Sequence, residues 1–192
     1  MTTETLSELY GSDVEVLRVN GTAQLRDEPE FTQRFAHADA PKLPRLVIDI
    51  GGGSTEFVLG DATGLRAARS VDIGCVRLTE RRLHGDPPSA DEVQATVADI
   101  RAALGLVTEE VPVAEAASLA GLAGSVTTVA ALALDLPAYD PEAIHGSRIP
   151  VSAVRAVTAG LLTATRARRA AASRLRRPKP TLPATVRCGN SA

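Results

Sequence analysis

Arg45-Leu46-Val47-Ile48-Asp49-Ile50-Gly51-Gly52-Gly53-Ser54-Thr55-Glu56 decides how this chain folds. Leu46, Val47, Ile48 and Ile50 make a short apolar run broken only by Asp49, the pattern of a buried strand. Three glycines then turn the chain. The pattern predicts strands near 46–50, 55–60 and 65–73, joined by turns at Gly51–Gly53 and Asp61–Gly64, which makes a β-meander. An Asp near the end of a buried strand is costly unless it faces a metal or hydrogen-bond donors. Glycines let the backbone approach a ligand and present successive N–H groups. Ser54 and Thr55 add hydroxyl donors, and Glu56 returns a second carboxylate. Two acids flanking a cradle of N–H groups suit a divalent metal and a phosphate.

Downstream, 74–84 reads as a helix ending at Gly85-Asp86-Pro87-Pro88. Ser89 predicts an N-cap for a helix over 90–104, with Glu92 completing a capping box. Val93, Val97, Ile100 and Leu104 form its apolar stripe, and Gly105 is expected to stop it. A further strand is predicted near 117–122. Gly121-Leu122-Ala123-Gly124-Ser125-Val126-Thr127-Thr128 then joins it to a helix over 126–134, a place where free N–H groups and the helix dipole favour an anion. A last long helix is expected over 151–172. Upstream, Val14–Val19 alternates like a strand. The class is α/β, with all four main strands in one mixed sheet followed by helices, and both glycine loops at one edge of it.

Composition narrows the functions. With 44% apolar and 23% charged residues, the 192-residue chain can bury a core for about one domain. No stretch approaches the ~18 consecutive apolar residues of a membrane span, and no charged and apolar leader pattern opens the chain, which argues against secretion. Cys75 and Cys188 read as free thiols in a reducing cytoplasm, Cys75 as a small core residue. Three scattered His give a zinc site little support. Residues 1–142 hold all 23 acids and 11 Lys/Arg, whereas residues 143–192 hold 10 Lys/Arg and no acid. A basic tail can meet a polyanion, but this one has no aromatic residue to stack bases, which argues against nucleic acid.

Val47–Glu56 closely resembles the phosphate-loop motif of the exopolyphosphatase / guanosine pentaphosphate phosphohydrolase (Ppx/GppA) family. Gly74-Cys75-Val76-Arg77-Leu78-Thr79-Glu80, Ala123–Thr128, and Tyr139-Asp140-Pro141 with His145-Gly146 resemble the same family in the same order. The resemblance implies an actin-like, ribonuclease-H-like lobe. It implies magnesium-dependent release of a terminal phosphoryl group from polyphosphate or guanosine pentaphosphate. On it, Asp49 and Glu56 are the catalytic and metal-holding acids. Gly51, Gly52, Gly53, Ser54 and Thr55 bind the scissile phosphate, and Gly124, Ser125 and Thr127 touch more of the polyanion. Arg77 is expected either on a phosphate or in a salt bridge, and His145 in a turn.

The resemblance also divides the chain. Residues 1–44 read as a poorly defined remnant of a preceding lobe and linker, 45–165 as the lobe, and 166–192 as a basic Pro/Arg tail expected to be disordered. The family's first lobe opens with an Asp-x-Gly-(Thr/Ser)-Asn-Ser type loop, and nothing of that type lies upstream of Asp49. The family's general base is a Glu where Val19-Asn20-Gly21-Thr22-Ala23-Gln24-Leu25 has Thr22, which cannot accept a proton near neutral pH. The chain therefore reads as a second lobe trimmed at both ends, weak or inactive alone. The other classes are a non-catalytic phosphate-binding lobe that needs a first lobe or homodimer partner, and an actin-like kinase lobe. No nucleotide pocket or acceptor base supports the kinase reading.

Overall fold

The computed structural model describes residues 14–16 and 42–174. Its strands are β1 (Val14–Val16), β2 (Arg45–Ile50), β3 (Thr55–Asp61), β4 (Gly64–Val71), β5 (Ser118–Leu122) and β6 (Arg148–Ile149). They form one mixed sheet in the order β4-β3-β2-β5-β1-β6. The meander β2–β3–β4 is antiparallel, as its turns predict, and β5 lies parallel to β2 and to β1. Of the expected strand Val14–Val19, the described part is β1, lodged between β5 and β6. The strand expected over 65–73 ends at Val71, although Ile73 still enters the core.

Alternation along the strands sorts residues to the two faces of the sheet. Leu46 and Ile48 of β2, Phe57 and Leu59 of β3, and Val71 of β4 make one core. The helices α1 (Cys75–Arg82) and α2 (Ala90–Glu110) cover it with Leu78, Ile100, Leu104 and Val107. On the opposite face, α3 (Ala123–Ala133) packs on β2, β5 and β1 and against α5 (Val151–Thr163). Ala130 and Ala131 meet Ile144 of the short α4 (Pro141–Ile144) and Ile149 there. Val47 and Asp49 point to this second side, out of step with Leu46 and Ile48.

Three helix boundaries differ from expectation. The Ser89–Glu92 capping box forms, but α2 runs through Gly105 to Glu110. A glycine inside a helix costs about 1 kcal/mol, while burying Val107 beyond it returns about 1.5–3 kcal/mol. The helix expected from 126 starts at Ala123, directly at the end of β5. The helix expected over 151–172 breaks at Ala164, whose backbone is extended, and resumes as α6 (Arg166–Arg174). Asp86 accepts from the Arg166 N–H, and the Arg169 guanidinium donates to the carbonyls of Leu161 and Ala164 at 3.3 and 2.6 Å. Both new helix ends are thus capped. Residues 166–174 are helical where a disordered tail was expected, because these caps satisfy the end groups; residues 175–192 lie outside the described residues.

Candidate phosphate and metal site

Parallel pairing of β2 and β5, with Asp49 opposite Leu122, brings the segments that follow them to the same end of the sheet. Neighbouring strands lie about 4.8 Å apart. The loop Gly51–Ser54 and the start of α3 at Ala123–Ser125 are therefore neighbours, as the order of the motifs predicts.

The glycine loop is held from behind by α1. Gly51, Gly52 and Gly53 direct their carbonyls at its N-terminus. Gly51 accepts from Cys75 at 3.0 Å, Gly52 from Val76 and Arg77 at 2.9 and 3.0 Å, and Gly53 from Gly74 at 3.2 Å. These carbonyls replace the missing side-chain cap of α1. A peptide whose C=O faces the helix turns its N–H the other way. Gly52 and Gly53 are exposed, and their N–H groups have no hydrogen-bond partner among the described residues. The Gly51 N–H is spent on Ser54 O at 3.0 Å, so the outward donors of the loop are the amides that follow the three glycine carbonyls, those of Gly52, Gly53 and Ser54.

Asp49 and Glu56 are direct cross-strand partners, which sets their Cβ atoms about 4.5–5.5 Å apart. Both are half-buried. Burial, and behind it the facing Glu56 carboxylate, push the Asp49 pKa above its ordinary value of 3.8. Glu56 Oε1 accepts from Ser54 Oγ at 2.6 Å and from Ser70 Oγ at 2.7 Å. Two facing carboxylates fit a divalent cation, which would offset the repulsion that Asp49 meets from Glu56. Magnesium keeps most of its waters and takes one or two carboxylates plus phosphate oxygens, so this pair suffices. Among the described residues, no group of three or more His, Cys, Asp and Glu gathers as a metal cluster.

Other expected residues fall differently. Thr55 is fully buried, and its hydroxyl donates to Ile73 O at 3.3 Å. As a strand residue next to outward Glu56 it must face inward, so its side chain is structural and does not reach a phosphate. Thr127 is buried, with its hydroxyl on Gly124 O at 3.3 Å, so that side chain closes the first turn of α3 and does not point out to a ligand. Gly124 is exposed and Ser125 half-buried at the start of α3, which has no side-chain cap. Its first N–H groups remain open to an anion. Ala123, where β5 passes into α3, has a left-handed φ of 71°, a strained setting for a residue with a Cβ. Cys75 is exposed, not a core residue, because it sits on the first turn of α1 beside the loop. Thr22 lies outside the described residues.

Gly74, Arg77 and Ser70 have roles that their residue types do not announce. A Cβ on Gly74 would lie 2.4 Å from the carbonyl of Gly52. Arg77 Nε donates to Gly53 O at 2.8 Å, and its guanidinium lies 3.5 Å from Asp72. The expected salt bridge thus forms with Asp72, and the same side chain clamps the loop. Gly74 and Arg77 stand in a motif whose contacts become visible only once α1 is docked. Ser70 carries no sequence signal.

The sequence profile of the Ppx/GppA phosphatase family matches residues 8–181. Exopolyphosphatase 2 of Mycobacterium tuberculosis (strain CDC 1551 / Oshkosh) is 42% identical over 172 residues, 89% of this chain and 52% of that protein. A guanosine-5'-triphosphate,3'-diphosphate pyrophosphatase of Photobacterium profundum is 30% identical over 103 residues, 54% of this chain and 20% of that one. The crystal structure of an exopolyphosphatase-like protein matches with a TM-score of 0.68 at 35% identity, covering 73% of this chain and 48% of that one. That of the Aquifex aeolicus Ppx/GppA family member gives 0.66 at 29%, covering 76% and 46%. The chain thus spans about half the length of the M. tuberculosis relative.

Proposed function

Because this chain belongs to the Ppx/GppA phosphatase family and its sheet is an actin-like lobe of that family, we propose that it binds and hydrolyses the terminal phosphoryl group of polyphosphate, with magnesium. The observation that carries this reading is the Asp49–Glu56 pair beside a loop whose three glycine carbonyls are bound by the N-terminus of α1. Asp49 and Glu56 would hold the ion. Once bound, magnesium supplies charge neutralisation at the phosphoryl oxygens. The Gly52 and Gly53 amides hold the equatorial oxygens of the terminal phosphoryl group, and the open N–H groups at the start of α3 hold the next phosphate of the chain. Phosphoryl transfer to water asks for positioning and charge stabilisation more than covalent chemistry, which is what such a wall of donors provides.

Polyphosphate is favoured over guanosine pentaphosphate by the greater similarity to the relative named an exopolyphosphatase. Turnover is slow in this reading. Gly52, Gly53 and Gly124 are exposed, and donors open to water are screened and stabilise a transition state less. No helix among the described residues is long and apolar enough to cross a membrane. The test is phosphate release from polyphosphate and from guanosine pentaphosphate, each with and without magnesium, with Asp49→Asn as control. Magnesium-dependent release from polyphosphate that vanishes in the variant supports the reading. Absence of both release and magnesium-dependent phosphate binding overturns it.

A further inference from the structure

We infer that Ser70 is a positioning residue of this site: it keeps the Glu56 carboxylate in place when Ser54 turns its hydroxyl to a phosphate. The inference rests on the metal and phosphate reading above. Ser54 and Ser70 donate to the same oxygen, Glu56 Oε1, at 2.6 and 2.7 Å. The two donors stand on different supports. Ser54 closes the phosphate loop, next to the outward amides of Gly52 and Gly53. Ser70 belongs to β4, a strand paired with β3 along its length. A hydroxyl has one proton to donate. Ser54 can give it to a phosphoryl oxygen only by releasing Glu56. Ser70 then remains as the tie on Oε1, leaving Oε2 and the facing Asp49 free to hold the cation.

The placement of Ser70 depends on one irregularity. Counted from the turn, Asp61 pairs with Gly64 and Gly60 with Leu65, a register that would set Arg69 opposite Glu56. Between Gly60 and Leu59 the register shifts, so that Leu59 pairs with Ala67 and Glu56 with Ser70. Arg66 is the extra residue of this β-bulge, and a one-residue slip exchanges the faces of every residue beyond it. Arg69 is thereby sent to the α2 side, where it pairs with Glu110. The neutral hydroxyl stands beside the two acids, where a guanidinium would compete with a cation for them.

The experiment is calorimetric titration of magnesium into the full chain, without and with saturating inorganic phosphate, for the wild type, Ser70→Ala and Ser70→Thr. Without phosphate, Ser54 still holds Glu56, and Ser70→Ala is expected within about threefold of the wild type. With phosphate, Ser70→Ala is expected to bind magnesium roughly tenfold more weakly, the size of effect usual for outer-shell partners. Ser70→Thr keeps the hydroxyl on a side chain suited to a strand and restores the wild-type value. Equal weakening with and without phosphate would mean a merely structural role, and no weakening in either condition would mean none; both overturn the inference alone. A wild type that binds no magnesium removes the underlying reading, and the inference with it.

Discussion

Gly74 lies against Gly52 so closely that a Cβ on it would sit 2.4 Å from the Gly52 carbonyl carbon and oxygen. Backbone meets backbone there, so no side chain can swing aside. Gly74→Ala is expected to destabilise the fold by about 1–3 kcal/mol and to weaken phosphate binding by displacing the loop. Gly124→Ala is the contrast, because its Cβ would meet nothing within 4 Å and a helix gains from alanine. Melting temperatures of the two variants should move in opposite directions; a Gly74→Ala protein as stable as the wild type would refute the close contact.

Asp49 carries an ionisation cost in the metal-free fold. Its pKa is raised in the folded state, by burial first and by Glu56 second. The unfolded chain therefore ionises this group more readily, and stability is lost as pH rises from 3.8 through the folded value. Asp49→Asn should melt higher than the wild type at pH 7 without magnesium, and the gap should narrow towards pH 3. The same change should abolish magnesium-dependent phosphate binding. A lower melting point at pH 7 would contradict the repulsion.

Arg77 binds Gly53 O through Nε at 2.8 Å while its fork reaches Asp72. Lysine supplies the charge but not that geometry. Arg77→Met and Arg77→Lys should both weaken phosphate binding by roughly 3–10-fold, about one hydrogen bond's net worth. A lysine variant equal to the wild type would show that charge alone matters.

Ala123 holds a left-handed φ of 71°. Glycine adopts that conformation without the Cβ clash. Ala123→Gly should raise stability by up to about 1 kcal/mol in denaturant unfolding. Destabilisation would mean that the helix start tolerates alanine without strain.

Glu92 accepts backbone N–H bonds from Ser89, His84 and Gly85 at 2.7, 2.9 and 3.0 Å, which hold its pKa at about 2 against an ordinary 4.5. A depressed carboxyl pKa contributes stability that is present above pH 4.5 and is lost as pH falls through about 2. The melting-point difference between the wild type and Glu92→Gln should be widest above pH 5 and should close towards pH 2. A difference that is flat with pH would assign the effect to packing.

Much of this arrangement is legible locally. The Leu46–Ile50 run, the glycines after it and the Ser89–Glu92 box each depend on residues a few positions apart, so alternation and capping chemistry are enough to read them. The facing of Asp49 and Glu56 is equally local, because a four-residue turn between them fixes the pairing of Ile50 with Thr55. Gly105 misled for the opposite reason. Its intrinsic cost is visible in the sequence, whereas the burial of Val107 that outweighs it depends on the sheet beneath α2.

By itself, the sequence determined the α/β class, the meander, the acid pair and the two glycine-bearing turns, all set by short-range periodicity and backbone freedom. Only the tertiary structure decided what surrounds them. The docking of α1 turns the loop carbonyls inward and leaves the Gly52 and Gly53 amides outward. The parallel alignment of β5 with β2 brings the α3 start beside the loop, and the bulge at Arg66 puts Ser70, not Arg69, next to Glu56. Each of these depends on contacts between segments far apart in the chain or on one register shift, and neither leaves a trace in local residue patterns.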